Sequence, residues 1–324
     1  MLGGGSWGTA LAAHLVRSGH GVRLWLREAA LAREINERRE NGAYLPGVGL
    51  PVELEATTDL AAATAGAESL FVVIPSEFCR SIYRQLRGVA PPGAVLVSAT
   101  KGIETGTLSR MTEVAASEAP GHPLAVVSGP SFALEVARGQ PTTVVVAAFD
   151  LAVAEGVQRA LSSRTFRAYS SDDVVGVEVA GALKNVIAIA AGIIDGLGYG
   201  HNTVAALITR GLAEMTRLAV ALGGRADTLS GLAGLGDLVL TCTGALSRNR
   251  RVGQALGAGR TLAEATAGTN MVAEGVRTTV AACALADRTG IEMPIARQMD
   301  DVMYHGKSPR DAVEELMLRS LKRE

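Results

Sequence analysis

The chain has 324 residues, and its 31 basic and 32 acidic side chains leave a formal net charge of -1. That length suffices for two domains with filled cores, since single cores stop growing beyond about 250 to 300 residues. The neutral balance excludes the basic excess that nucleic acid or anionic membranes select, and no uninterrupted apolar run reaches the roughly 18 residues of a membrane helix. No charged start followed by an apolar block marks a secretion signal. Cys79, Cys242 and Cys283 are odd in number and widely spaced, so they read as reduced, buried thiols of a cytoplasmic protein, with neither a metal site nor a disulfide framework.

The first element is a glycine turn, Gly3-Gly4-Gly5-Ser6-Trp7-Gly8, which has the G-x-G-x-x-G spacing and leads into a helical stretch over 9–17 closed by Gly19. Gly3, Gly5 and Gly8 would allow a tight turn and close approach of a pyrophosphate to the helix N-terminus, where free amides and the helix dipole favour an anion. Only Met1 and Leu2 precede Gly3. The fingerprint expects a buried strand there, so the first strand is expected to be missing or truncated, and the natural start several residues upstream.

Short runs rich in Val, Ile, Leu and Phe follow at 22–26, 69–74, 94–99, 124–128, 142–147 and 165–169, separated by helical stretches. This alternation predicts a Rossmann-like, doubly wound, mostly parallel sheet over residues 1–171. The turns Pro75-Ser76, Thr100-Lys101-Gly102 and Gly129-Pro130-Ser131 end three of the strands and should ring one crevice, because ligands of open parallel sheets bind beyond the strands' carboxyl ends. Arg27 and Glu28 stand at the tip of the 22–26 strand. An arginine there suits a 2′-phosphate and favours NADPH over NADH, although either side chain could face the ribose.

From about Asp172 the pattern is helical throughout, which predicts an all-helical domain over residues 172–324. Helices are expected from Asp172 or Asp173 to 194, over 202–222, around 252–256, over 274–289 and over 309–321. The chain has four lysines against 27 arginines, so an interior lysine calls for a chemical reason. Lys101 follows an apolar strand and Lys184 lies in the small, apolar stretch 181–187. A desolvated lysine can have its pKa lowered and exchange a proton near neutrality, which an arginine cannot; the plainer alternative is a salt bridge to a neighbour such as Glu178. A second glycine cluster, 231–236, delivers Asp237, and Ser247-Arg248-Asn249-Arg250-Arg251 follows ten residues later. Guanidinium, amide and hydroxyl donors suit a small phosphorylated substrate. Alternatively, Asp237 forms a turn and Ser247 caps an exposed helix.

Taken in order, residues 3–10, Gly129-Pro130-Ser131-Phe132-Ala133, the 181–185 lysine stretch, Gly200-His201-Asn202-Thr203, residues 231–237 and 247–251 resemble the successive motifs of the bacterial NAD(P)-dependent glycerol-3-phosphate dehydrogenases. The similarity spans nearly the whole chain. It implies reversible reduction of dihydroxyacetone phosphate to sn-glycerol 3-phosphate, feeding glycerophospholipid synthesis, with NADPH preferred or NADH. It also implies that Lys184 is the proton donor and acceptor, and that Lys101, Gly129, Ser131, Asp237, Ser247, Arg248 and Asn249 surround the substrate, Arg248 with Asn249 fixing its phosphate. Cofactor contacts would fall on Ser6, Trp7, Arg27, Lys101, Ala133, Arg248, Val272 and Glu274. The oligomeric state stays open, a homodimer being one option. Two other readings remain: a related two-domain hydroxyacid dehydrogenase using a helical-domain lysine, and a non-catalytic NADP-binding regulator.

Overall fold

A computed structural model describes residues 1–267 and 272–320. Its first part is one twisted sheet. The strands β1 (Arg23–Trp25), β2 (Glu55–Thr57), β3 (Ser69–Val72), β4 (Val95–Ser98), β5 (Leu124–Ser128), β6 (Thr142–Ala147) and β7 (Phe166–Ser171) fall in chain order. Strands β3 to β7 lie side by side in that order, all pairs parallel except the antiparallel β5–β6. β2 pairs parallel with β1; with one apolar residue in three, it lacked a hydrophobic signal strong enough to be expected from the sequence.

Where the first strand is expected to be missing or truncated, Leu2 makes an isolated bridge between β1 and β3. Leu2 bridges in parallel to both Trp25 and Val72. Its N–H donates to the Phe71 carbonyl at 2.7 Å, its carbonyl accepts from Val73 at 2.8 Å, and the Met1 carbonyl accepts from Trp25 at 2.8 Å. The neighbours on both sides satisfy the backbone groups of Leu2. The glycine turn therefore leaves a supported central position, and the Ser6–Arg17 helix follows it.

The second part is built around one helix, Val174–Gly196, capped by Asp173, whose carboxylate accepts from the Gly176 N–H at 2.8 Å. It is long and apolar enough to cross a membrane, but its most apolar window is wholly buried in the protein. Around it pack His201–Ala221, Asp237–Thr243, Arg248–Gly257, Glu274–Thr289 and Pro294–Tyr304. The Asp237–Thr243 and Pro294–Tyr304 helices were not expected from the sequence. The last helix runs over Pro309–Met317, shorter than the expected 309–321, whose final residue lies outside the described residues.

Small residues let two of these helices touch backbone to backbone. A Cβ added at Gly192 would lie 2.0 Å from the Arg250 carbonyl oxygen, and one at Gly253 would lie 2.0 Å from that of Ile189. One turn further on, Gly196 meets the Gln254 carbonyl at 2.4 Å and Gly257 meets that of Ile193 at 2.5 Å. Glycines four apart share a helix face, so these pairs form one seam, flanked by the Arg250–Asp195 ion pair at 2.6 Å. The seam sets how closely the Ser247-Arg248-Asn249 segment lies beside Lys184. Gly253→Ala should cost about 1 to 3 kcal/mol of stability, as overpacking of a tight contact does. Urea unfolding would check this; an unchanged midpoint would show that the seam has slack.

Candidate active site

The dinucleotide end is shaped by the glycine turn. Gly3 has φ +125°, and a Cβ there would lie 2.3 Å from the Val73 carbonyl oxygen; one at Gly8 would lie 1.9 Å from the Gly3 carbonyl oxygen. A Cβ at Gly5 would meet nothing within 4 Å, which leaves the middle glycine open to a phosphate approaching the helix N-terminus. Asn41, fully buried, braces the turn by donating to the Gly4 carbonyl (2.9 Å) and to the Thr9 hydroxyl (2.8 Å). The Ser6 hydroxyl donates to the Tyr44 carbonyl at 2.6 Å, and the indole N–H of Trp7 is buried without a protein partner. An open glycine face and an orphaned donor beside it fit a bound pyrophosphate. Arg27, exposed at the tip of β1, lies over the Phe78 ring at 5.4 Å with its guanidinium 3.6 Å from Glu28. Ala133 begins the Ala133–Ala137 helix, and Val272 is half-buried ahead of Glu274.

The chemistry-bearing end lies where the sheet meets the long helix. Lys101, just past β4, donates to the Gly129 carbonyl at 2.8 Å and to the Asp237 carboxylate at 2.6 Å. Lys184 donates to the other oxygen of Asp237 at 3.1 Å and to the Thr241 hydroxyl at 2.8 Å. One buried carboxylate thus bridges both interior lysines. Glu178 does not pair with Lys184; it accepts from Arg110 (2.5 Å) and from the N–H (2.8 Å) and hydroxyl (2.6 Å) of Thr112. Six residues along a helix leave two side chains about 120° apart and more than a turn distant, which disfavours that pairing.

Burial pushes the Lys184 amine down to about 8, aided by the charge of Lys101 and opposed by Asp237. Burial works against ionising Asp237, but the two ammonium groups outweigh it and hold its carboxyl below the usual range. The site is therefore an ionised carboxylate between two amines, one of which can exchange a proton near neutrality.

Of the remaining expected residues, Gly129 has φ +140°, and a Cβ there would lie 2.9 Å from the Val144 Cα. Ser131 donates to the Gly129 carbonyl at 2.9 Å. Ser247 caps the Arg248–Gly257 helix, accepting from the Arg250 N–H at 3.2 Å. Arg248 is exposed and makes no ion pair among the described residues. Asn249 is buried with its amide hydrogen-bonded to Asn185 and Gly275. Glu274 accepts from the Ser76 N–H and hydroxyl. Thr241, Asn185 and Asn41 were not singled out from the sequence, and Ser76 entered only within the Pro75-Ser76 turn expected to ring the crevice. Thr241 was within reach, because it stands four residues after Asp237 and so on the same helix face.

A glycine-rich phosphate turn, a crevice at the strands' carboxyl ends and a lysine–carboxylate pair supplied by a helical domain define a two-domain nicotinamide-nucleotide oxidoreductase. The sequence model of the NAD-dependent glycerol-3-phosphate dehydrogenase N-terminus matches residues 1–154, and that of the C-terminus matches residues 173–314. The chain belongs to this family. It is 53% identical to the glycerol-3-phosphate dehydrogenase [NAD(P)+] of Citrifermentans bemidjiense and to that of Geobacter sulfurreducens, in both cases over all of this chain and 98% of the relative. The crystal structure of the Coxiella burnetii glycerol-3-phosphate dehydrogenase superposes with a TM-score of 0.94 at 43% identity, covering 98% of each chain.

Proposed function

We propose that the chain reduces dihydroxyacetone phosphate to sn-glycerol 3-phosphate, reversibly, with Lys184 as the acid and base, and that it supplies glycerophospholipid synthesis in the cytoplasm. The observation that carries this reading is the Asp237 carboxylate shared by Lys101 and Lys184. A reduced nicotinamide nucleotide, held at the Gly3–Gly8 turn and by Trp7, would supply the hydride for the carbonyl carbon. Lys184, in its ammonium form, stabilises the charge that develops on the carbonyl oxygen and then protonates it. Asp237 and the Thr241 hydroxyl hold the amine in place. Lys101 and the Gly129–Ser131 turn line the same side, while Arg248, at the start of its helix, takes the phosphate. Division of labour follows the fold, with residues 1–171 holding the dinucleotide and residues 172–324 the substrate. A hydroxyacid dehydrogenase would not require the Ser247-Arg248-Asn249 phosphate cluster and a non-catalytic NADP-binding regulator would not require a lysine in the crevice, so assaying NADPH with dihydroxyacetone phosphate against 2- and 3-oxo acids separates the readings.

Reduction needs Lys184 charged, so its turnover should fall as pH rises through about 8, whereas oxidation, which needs the neutral amine, should rise over the same range. Lys184→Arg should lose about two to four orders of magnitude in turnover and lose that pH limb, because a guanidinium keeps its proton near neutrality. Near-normal turnover with an unchanged profile would make Lys184 a structural cation.

We also propose a preference for NADPH, read by Arg27. Glu28 beside it would repel a 2′-phosphate, so the preference depends on the arginine. Arg27→Ala should cost about 1.5 to 3 kcal/mol in efficiency with NADPH and little with NADH. Equal losses with the two cofactors would show that Arg27 does not read the phosphate.

A further inference from the structure

The Ser6–Arg17 helix begins in the Gly3–Gly8 turn, and one loop, residues 39–50, is tied to both of its ends. The loop closes on itself: the Leu50 N–H donates to the Arg39 carbonyl and the Leu45 N–H to the Asn41 carbonyl, each at 2.8 Å. Leu45, Val48 and Leu50 are buried in the same apolar cluster as Ala10, Leu11 and Leu15 of the helix. At the amino end of the helix, the Tyr44 carbonyl accepts from the Ser6 hydroxyl at 2.6 Å. At its carboxyl end, the Arg17 guanidinium donates to the Gly49 carbonyl at 3.1 Å. Compact loops whose ends meet and whose own side chains pack them down are frequently functional.

Asn41 is where this loop meets the turn. A carboxamide has two N–H donors and one acceptor oxygen, and all are engaged. Nδ2 donates to the Gly4 carbonyl at 2.9 Å and to the Thr9 Oγ1 at 2.8 Å, while Oδ1 accepts from the Tyr44 N–H at 3.0 Å. The Thr9 hydroxyl passes its own hydrogen to the same Gly4 carbonyl at 3.2 Å. Asn41 and Thr9 are both 0% exposed, so neither can touch a bound nucleotide. What they hold is the peptide between Gly4 and Gly5. In a planar trans peptide the C=O and N–H point opposite ways, so anchoring the Gly4 carbonyl on the buried pair turns the Gly5 N–H away from it. Gly5 is also the glycine whose side-chain position is open.

We propose that Asn41 is a positioning residue for the cofactor: through Gly4 it aims the Gly5 N–H at the pyrophosphate, while the 39–50 loop holds the helix in the place where that contact is made. The proposal rests on the reading of the Gly3–Gly8 turn as the pyrophosphate site and adds to it the buried group that sets the turn.

The test measures dissociation constants for NADPH, NADH and adenosine 2′-phosphate, which carries one end of NADPH without the pyrophosphate, and kcat at saturating NADPH. The proteins are wild type, Asn41→Ala, Thr9→Val, the double variant and, as the reference for the turn itself, Gly5→Val. Asn41→Ala should weaken NADPH and NADH by the same factor, about 10- to 100-fold, the scale of losing two buried hydrogen bonds. Adenosine 2′-phosphate, which binds away from the turn, should keep its affinity within about twofold. At saturation kcat should stay within about threefold, as it does when only binding energy is lost. Thr9→Val, which keeps the volume and removes the hydroxyl, should weaken both dinucleotides about 3- to 10-fold, and it decides the matter should Asn41→Ala fail to fold. The double variant should be no worse than Asn41→Ala, because the two residues act on one carbonyl.

Unchanged dinucleotide affinity in Asn41→Ala and Thr9→Val would overturn the proposal. So would an equal loss for adenosine 2′-phosphate, the mark of a loosened domain, or a loss of kcat in place of affinity. Gly5→Val sets a side chain in the open face and should prevent dinucleotide binding. If it binds NADPH as wild type does, the turn is not the pyrophosphate site and the proposal falls with that reading. If Gly5→Val alone loses NADPH while the Asn41 and Thr9 variants keep it, the reading stands and only the proposal fails.

Discussion

The Asp237 carboxylate, almost wholly buried and hydrogen-bonded by two lysines from different parts of the fold, is the interaction on which the rest depends. Burying one carboxylate with two ammonium groups leaves an excess positive charge in a poorly solvated place. Such a cluster persists only if the geometry is good and the remaining donors find partners, which the Gly129 carbonyl and the Thr241 hydroxyl provide. The surplus charge has a chemical use, since it eases proton release from Lys184 while Asp237 keeps the amine from becoming neutral altogether.

Three elements must converge for this to happen. Lys101 comes from the end of β4, Lys184 from the middle of the long helix, and Asp237 from the start of a helix that follows a π-helical segment, Leu232–Gly236. Buried polar contacts lock the parts together. Glu178 takes the Thr112 N–H at the start of the Met111–Glu118 helix, and Glu274 takes that of Ser76 at the start of the Ser76–Leu86 helix. Each is a carboxylate from the helical part set on free amides at a helix N-terminus of the sheet part, where the helix dipole favours it. Burial nevertheless raises the proton affinity of both carboxylates.

Much of this could be read in the residues themselves. The scarcity of lysine drew attention to Lys101 and Lys184, and alternating apolar runs marked six of the seven strands. Periodicity placed the long helix to within two residues at either end. What escaped were features set by tertiary packing. β2 has one apolar residue in three and exists because β1 offers it an edge. The pairing of Leu2 with both β1 and β3 cannot be seen in a two-residue run. Ser76 and Glu274 are 198 residues apart, and nothing in either segment announces the other. The amide of Asn249 was legible as a donor in the 247–251 cluster, while its partners Asn185 and Gly275 become visible only once helices are packed.

The most direct measurement is the pH dependence of ketone reduction in Asp237→Asn, beside wild type, with NADPH binding followed in parallel. Removing the carboxylate leaves Lys184 next to Lys101 without a counter-charge, so the alkaline limb should move from about 8 to lower pH by about 1 to 3 units. Turnover at neutral pH should fall while NADPH still binds. A limb that stays where it is in the wild type would contradict the claim that the shared carboxylate sets the proton affinity of the catalytic amine.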